Sequence, residues 1–455
     1  MRTPIRLPAA ASNLISLIGA AIATVMAAIF LILLALELLG FLANPYIGLL
    51  LFVAVPVLFV LGLLLIPAGA WWHARRRRSY PETSTPWPVI DLRDPRQRAV
   101  LTGVLALTLV NLVIVSIAAY GGVHYMETSE FCGQVCHTTM EPQAVAHQAF
   151  PHARVACVSC HIGTGAGALV EAKLAGTRQL WHVVIGQVPR PVPPPGDSLR
   201  PARETCERCH WPEKLHGDEV RVIRDYASDE TNTETATTLQ LHVGGGSRAL
   251  GVGTGIHRHM NLDSEIEYVA TDETRETIPF VRLRDRQGNV REFVVDGTTP
   301  AQLAAGTRRR MDCVDCHSRP AHTFQPTPER AVDAAIAQGR IPRELRFVRR
   351  EAVAAVSAEY QDRAAALEGI ARKLEDFYRA DSEADGRLVM RAVAATQEVW
   401  AGNVFPAMQV TWGTYPNQLG HVDTPGCFRC HDDNHKSQDG RVIRQDCELC
   451  HAIPE

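Results

Sequence analysis

Cys157-Val158-Ser159-Cys160-His161 is the stretch on which the fold turns. The same pattern, two cysteines two residues apart and a histidine at once after the second, returns at Cys206/Cys209/His210, Cys313/Cys316/His317, Cys427/Cys430/His431 and Cys447/Cys450/His451. A form with one more intervening residue stands at Cys132-Gly133-Gln134-Val135-Cys136-His137. All 12 cysteines are used and none is left over. Histidine makes up 18 of 455 residues, so six of six by chance lies below roughly one in a hundred million. The spacing fits one chemistry: two thiols add to the two vinyl groups of a haem, and the adjacent imidazole ligates the iron from the same side. Six covalent c-type haems are expected.

Two other uses of paired cysteines fit less well. Structural zinc takes cysteine pairs without requiring histidine directly after each. A disulfide framework or a vicinal redox disulfide would not explain the histidines either, and no strand–helix–strand pattern surrounds the pairs.

The apolar residues crowd into the opening stretch, which a mean hydropathy of −0.04 for the whole chain conceals. Runs cover 14–40 (interrupted by Glu37), 47–70 and 99–120, each about the 20 helical residues that cross a hydrocarbon core. The first is too long for a signal-peptide core, so a retained anchor is expected. Pro56 and Pro67 fall in the second run, where a kink is tolerated between packed helices, and Trp71 and Trp72 suit the interface. Arg75, Arg76, Arg77, Arg78, Arg93, Arg96 and Arg98 lie between the second and third runs, whereas the turn at Asn44-Pro45 carries no cation. The positive-inside rule then places 71–98, with Arg2 and Arg6, in the cytoplasm and everything after Tyr120 outside. The chain is thus expected to be a multi-pass protein of the cytoplasmic (inner) membrane with its haem region on the periplasmic side, where covalent attachment of this kind is completed. A net charge of −3 implies no polyanionic partner, and no nucleic acid is expected.

The expected fold class is a mainly α and irregular multihaem cytochrome with three N-terminal transmembrane helices, a small β insertion, and C-terminal helical and haem-binding segments. Residues 1–98 hold two membrane helices and the Arg-rich loop, and 99–125 the third helix. Residues 126–217 carry three motifs, with a stiff Pro-rich connector at 189–201. Alternation near 219–224, 239–243, 265–270 and 279–296 predicts the β insertion at 218–300, with 227–238 and Gly-rich 244–255 as loops. The fourth motif occupies 301–326, a helical segment 327–405, and the last two motifs 406–455. Where motifs are dense, the porphyrins are expected to supply much of the apolar core.

A low-spin haem needs a second axial ligand. His152, His216, His322, His421 and His435 lie within a few residues of a motif, whereas His147, His182, His242, His257 and His259 are weaker candidates. Distal ligands in packed multihaem proteins often come from a neighbouring site's segment, so proximity in sequence does not assign them.

Residues 131–142 (Phe-Cys-Gly-Gln-Val-Cys-His-Thr-Thr-Met-Glu-Pro), 151–161 (Pro-His-Ala-Arg-Val-Ala-Cys-Val-Ser-Cys-His) and 206–212 (Cys-Glu-Arg-Cys-His-Trp-Pro) resemble the NapC/NirT/NrfH family of membrane-bound quinol dehydrogenases over roughly 100–217. The layout is also similar to inner-membrane cytochromes of bacteria that respire extracellular metals. The resemblance implies oxidation of menaquinol at the membrane surface and delivery of single electrons to periplasmic c-type cytochromes or a reductase, with membrane lipid and the quinone pool as surroundings. It implies a methionine ligand to the first haem, matched by Met140, and a quinol-binding lysine, matched by Lys173. Lys173 lies in a stretch, 165–186, that reads as an interfacial helix. An acidic residue one heptad later in some relatives is Leu180 here, with Gln179 or His182 as substitutes. Two other functions stay open on the residues alone: a terminal reductase with an open haem position, and a non-catalytic haem anchor or conduit for a partner.

Overall fold

In a computed structural model the described residues are 13–39, 47, 50–77, 92–135, 137–163, 165–194, 200–211, 214–244, 246–247, 251–252, 255–260 and 264–453. The chain divides into two compact units, Met1–His137 and Thr138–Glu455.

In the first unit, α1 (Leu14–Leu38), α2 (Val55–Arg77, entered through a π-helical turn at Leu50–Ala54) and α3 (Pro95–Met126) are each long and apolar enough to cross a membrane. Asn13 caps α1 by accepting from the Ser16 amide at 2.7 Å. Helices in lipid gain nothing from hiding apolar surface and associate through close packing instead. Here the close approach is at Gly19 and Gly62: a Cβ on Gly19 would lie 2.7 Å from the Gly62 carbonyl oxygen. Above that crossing, Ser16 donates to the Ile66 carbonyl at 2.8 Å, and Phe30, Leu51, Val55, Phe59 and Ile114 fill the centre. Pro67 is carried inside α2. Trp71 and Trp72 are exposed, and Arg75 lies over the Trp71 ring at 5.1 Å. Arg2, Arg6, Arg78, Asn44 and Pro45 lie outside the described residues.

The second unit opens with α4 (His137–Gln148) and α5 (Ala166–Val184). A hairpin of β1 (Asp218–Tyr226) and β2 (Glu234–His242) follows, then the short pair β3 (Gly246–Ser247) and β4 (Gly251–Val252), and then β5 (Glu265–Ala270), β6 (Phe280–Arg284) and β7 (Val290–Val295). The stretch 227–238, expected to be loop, is turn only over its first half; Thr-rich 234–238 pairs in full register with β1. β-branched residues on a half-exposed ladder suit a strand better than their polarity suggests.

The β insertion is completed from outside its sequence range. After α6 (Pro300–Ala305), β8 (Thr307–Arg310) leads into the fourth motif. β9 (His435–Ser437) and β10 (His451–Ala452) follow the fifth and sixth. The larger sheet runs β8-β5-β6-β7-β9 and the smaller β1-β2-β10, all antiparallel. Three motifs are therefore anchored to sheet edges by backbone pairing.

Between β8 and β9 lie α7 (Pro328–Ala337), α8 (Val348–Val356), α9 (Arg363–Arg379) and α10 (Gly386–Ala401). Thr327, Asp362 and Asp385 cap α7, α9 and α10 with side-chain oxygens, each satisfying an amide that the first turn leaves unpaired. Their shared core contains Ile341, Val348, Val356, Ile370, Leu374 and Trp400, all 2% exposed or less.

Candidate haem-binding site

Each motif from the second to the sixth folds as a single tight turn. Val158–His161 is a short α-turn; Cys206–Arg208, Cys313–Asp315, Gly426–Arg429 and Cys447–Leu449 are 3-10 turns. The backbone amide of the motif histidine donates to the carbonyl of the first cysteine, at 3.0 Å for His161, 2.8 Å for His210, 2.8 Å for His317 and 3.0 Å for His431. This bond closes the turn and sets both thiols and the imidazole on one local frame. The fifth turn starts at Gly426, where φ is +49° and a Cβ would sit 1.3 Å from the Gly420 carbonyl oxygen, so only glycine fits. In the first motif, Cys136 and the His137 side chain lie outside the described residues. Cys132 is half-buried in a π-helical turn, and Met140 is half-buried in the first turn of α4.

Two thiols reach the surface. Cys209 is exposed, as is Cys447, whereas the other described motif cysteines are half-buried. For Cys209 the cause is the course of the chain, because the third turn reaches the surface and the next two residues, His210 and Trp211, are exposed as well. The Cys209 amide still donates to the Cys206 carbonyl at 3.0 Å, which keeps it on the frame of its turn. Exposure does not weigh against a thioether, since a thiol reacts through its access to the partner and not through burial.

Each of the five other motif histidines faces a second imidazole from a distant segment. His161 faces His322 with ring centroids 6.3 Å apart, and His210 faces His152 at 6.0 Å. His317 faces His257 at 6.3 Å, His431 faces His259 at 5.9 Å, and His451 faces His421 at 6.1 Å. A separation near 6 Å is ordinary for aromatic rings; what sets these five apart is that each motif histidine meets another imidazole, at a separation that a shared metal would also give. Two metal–nitrogen bonds of about 2.0 Å, and a little over 1 Å from each nitrogen to its ring centre, give roughly 6 Å. A tetrahedral zinc site would need four converging donors, and among the described residues no group of three or more His, Cys, Asp or Glu gathers to hold a metal. Two opposed imidazoles beside two thiols match an iron whose four equatorial ligands come from a porphyrin.

The ring nitrogens are prepared for ligation. His152 Nδ1 donates to the Pro320 carbonyl at 2.8 Å, His257 Nδ1 to Val243 at 2.7 Å, His259 Nδ1 to Ile256 at 2.6 Å and His431 Nδ1 to Arg444 at 3.0 Å. Such a bond fixes the tautomer and leaves Nε2 with its lone pair available to a metal. Burial pushes His161, His259 and His317 toward the neutral form, as it does His322, pushed down to about 4 by burial and then by the Arg319 cation. Neutral imidazole is the form that ligates a metal.

Sequence proximity misplaces two of the distal candidates. His435 is buried, but Asp432 at 2.8 Å and the Ile278 carbonyl at 2.7 Å take both its nitrogens, so it holds β9 against the sheet. His216 Nδ1 donates to the Lys214 carbonyl at 2.8 Å, and its ring stacks on no motif histidine among the described residues. Their places are taken by His257 and His259, two residues apart on the 3-10 turn Ile256–Met260. A His-x-His pair on a turn beside a Gly-rich loop was the available signal. His147 and His242 are engaged elsewhere, with the Val155 carbonyl at 3.0 Å and Asp218 at 3.0 Å.

Lys173 lies half-buried on α5, whose Val170, Leu174, Leu180, Trp181 and Val184 are exposed. At about 100° per residue, His182 points roughly 180° and Gln179 roughly 120° away from Lys173 around the helix. The helix therefore does not bring these three side chains together, and neither Gln179 nor His182 can share a pocket with Lys173 on one face of α5.

The NapC/NirT cytochrome c family, N-terminal region, matches residues 94–191. The chain is 39% identical over 448 residues to the cytochrome c-type protein ImcH of Geobacter sulfurreducens, covering 97% of this chain and 88% of the relative. No solved structure matches the chain. The likeness to ImcH extends far beyond the N-terminal match, through the opposed imidazoles of the later motifs, and the chain belongs to the NapC/NirT family of membrane-anchored multihaem c-type cytochromes.

Proposed function

We propose that the protein oxidises menaquinol at the outer surface of the inner membrane and passes single electrons through six haems to periplasmic carriers. The observation that carries this reading is the set of five opposed imidazole pairs at 5.9–6.3 Å. A haem iron with both axial positions filled exchanges electrons one at a time and offers no open position to a substrate, which disfavours a terminal reductase at those five.

In this reading Cys157/Cys160, Cys206/Cys209, Cys313/Cys316, Cys427/Cys430 and Cys447/Cys450 hold the groups, with Cys209 and Cys447 as the solvent-facing attachment points. The axial pairs are His161/His322, His210/His152, His317/His257, His431/His259 and His451/His421. Cys132, Cys136 and His137 hold the first group, with Met140 as its methionine ligand. Lys173 binds the quinol oxygen from α5, whose exposed apolar side chains suit a helix lying in the headgroup boundary. Each quinol yields two electrons and two protons. The electrons leave singly and the protons are released outside.

Anaerobic addition of a menaquinol analogue to the purified protein should reduce the haems and raise their α-band, and Lys173→Ala should slow that reduction at least tenfold without changing the dithionite-reduced spectrum. An α-band that does not respond to quinol in the unmodified protein refutes the proposal.

A further inference from the structure

From the second motif onward, each motif is tied to the next in the chain. Arg200, leading into the third, donates through Nε to the Ile162 carbonyl beside the second at 3.2 Å, and His152, upstream of the second, faces His210 of the third. The Ala202 amide, leading into the third, donates to Asp312 Oδ2 at the head of the fourth at 2.9 Å. Arg429, buried inside the fifth motif, donates through Nη2 to the carbonyl of Asp315 inside the fourth at 2.6 Å. The same 3-10 turn that carries His257 to the fourth carries His259 to the fifth. Phe428 of the fifth stacks at 4.3 Å on His421, which faces His451 of the sixth.

The two thiols of a motif would hold its porphyrin by one edge, so motif segments in direct contact would bring the edges of their groups close together. Tunnelling falls steeply with edge separation, and the nearest edge carries the current. We infer that motifs two to six form an unbranched conductor in the order of the chain, with the sixth as its outer end, where a one-electron carrier protein collects each electron. The inference rests on the proposed function only for the source of the electrons, and two carriers are reduced per quinol.

One set of contacts crosses the order. His322, five residues past His317, faces His161, and His152 Nδ1 donates to the Pro320 carbonyl. These bring the segment after the fourth motif to the second through contacts of the same kind as those between the second and the third. A shortcut from second to fourth is thus the rival arrangement.

The sixth motif has the features of an outlet. Its other flank is backbone, with the His242 amide donating to the Cys450 carbonyl at 2.8 Å and β10 pairing with β2. Leu419 and Val422 beside His421, and Ile453 beside His451, are 51%, 68% and 65% exposed. An apolar rim around a redox group suits a protein carrier that docks by excluding water; a small oxyanion would call for converging cations.

Two measurements on the full chain test this, after intact mass has verified the complete set of attached haems. In the first, dithionite-reduced protein is mixed with an oxidised soluble c-type cytochrome. Val422→Glu with Ile453→Glu should slow the second-order oxidation at least tenfold, whereas Trp211→Glu, also exposed but beside the third motif, should change it less than twofold. Equal effects, or none at the sixth motif, overturn the outlet. In the second, electron paramagnetic resonance of the oxidised protein counts the signals altered when one haem loses its distal imidazole. His257→Ala should alter two neighbours and His421→Ala one. Three altered neighbours in the first, or more than one in the second, besides the haem that loses its imidazole, overturn the order. His257→Met and His421→Met, which keep six ligands, give the same count if the alanine variants shed haem. Neither measurement uses quinol, so a protein that passes both yet ignores menaquinol refutes the proposed function and leaves the order standing.

Discussion

The helical segment α7–α10 and the motif turns are built on opposite principles. In α7–α10 a continuous set of apolar side chains, from Val332 to Trp400, is withdrawn from water. In the five described motif turns the cysteines are half-buried or, at Cys209 and Cys447, exposed, and the buried side chains are Asp315 and Arg429, both charged. A chain that places charge where a core belongs relies on something else for apolar contact, and a covalently bound porphyrin is large enough to supply it. The helical segment stands on ordinary side-chain burial, whereas the motif segments stand on their prosthetic groups.

The strongest way to break this comparison is to block attachment at one turn. Cys313→Ser with Cys316→Ser should give a chain lighter by one haem, in which protease cuts 200–326 and 406–453 while 328–401 resists. Protection left unchanged around the fourth motif would mean that the sheet alone holds that region.

The converse change comes next. Trp400, 2% exposed and edge-on to Tyr360 at 6.0 Å, anchors the helical core, and Trp400→Ala should cost about 3–5 kcal/mol. Denaturation followed by far-ultraviolet circular dichroism should shift to lower denaturant while the haem absorbance transition stays in place. A common shift of both would show that the two regions unfold as one.

Between them sits a joint. Asn232, buried at the β1–β2 turn with φ +49°, donates to the Arg343 and Leu345 carbonyls at 3.0 and 2.8 Å and accepts from the Arg349 amide at 3.0 Å. Asn232→Ala leaves these groups unpaired in the interior, at a cost of about 2 kcal/mol. It should lower the helical transition by less than Trp400→Ala does and leave the midpoint of the haem transition unchanged.

The same division explains what could be read without coordinates. Attachment chemistry is local, because two thiols and an imidazole must sit within five or six residues, so the motifs declare themselves. How deep each thiol lies is not local, and nothing in Cys206-Glu207-Arg208-Cys209 marks the second cysteine for the surface. The membrane helices are legible for a similar reason to the motifs, since each must satisfy its own backbone and present apolar residues to lipid. Opposed imidazoles come from anywhere in the chain. His322 is 161 residues from its partner and His259 is 172, and nothing near His435 announces that Asp432 and Ile278 occupy its nitrogens. Strands of two or three residues such as β9 and β10 carry too little pattern to be seen; they exist because a motif turn is pressed against a sheet edge.

The finest test lies where the buried charges meet the redox groups. Asp315 accepts from Tyr268 Oη at 2.6 Å, from Arg275 Nη1 at 2.7 Å and from the Asp312 amide at 2.7 Å, between the two cysteines of the fourth motif. A carboxylate there favours the ferric state, which carries one more positive charge than the ferrous. Asp315→Asn removes that charge, keeps an acceptor for Tyr268 and leaves Arg275 uncompensated, so both effects favour the ferrous state. Screening by the arginines keeps the change small, about 1 kcal/mol or roughly 40 mV for a one-electron couple, upward. A spectropotentiometric titration should show one component couple moving to higher potential with the helical transition untouched. A curve that does not move would mean that Asp315 and Arg429 serve only to lock the fourth turn to the fifth, and that the buried charges of the motif region are structural in the same sense as the leucines of the helical one.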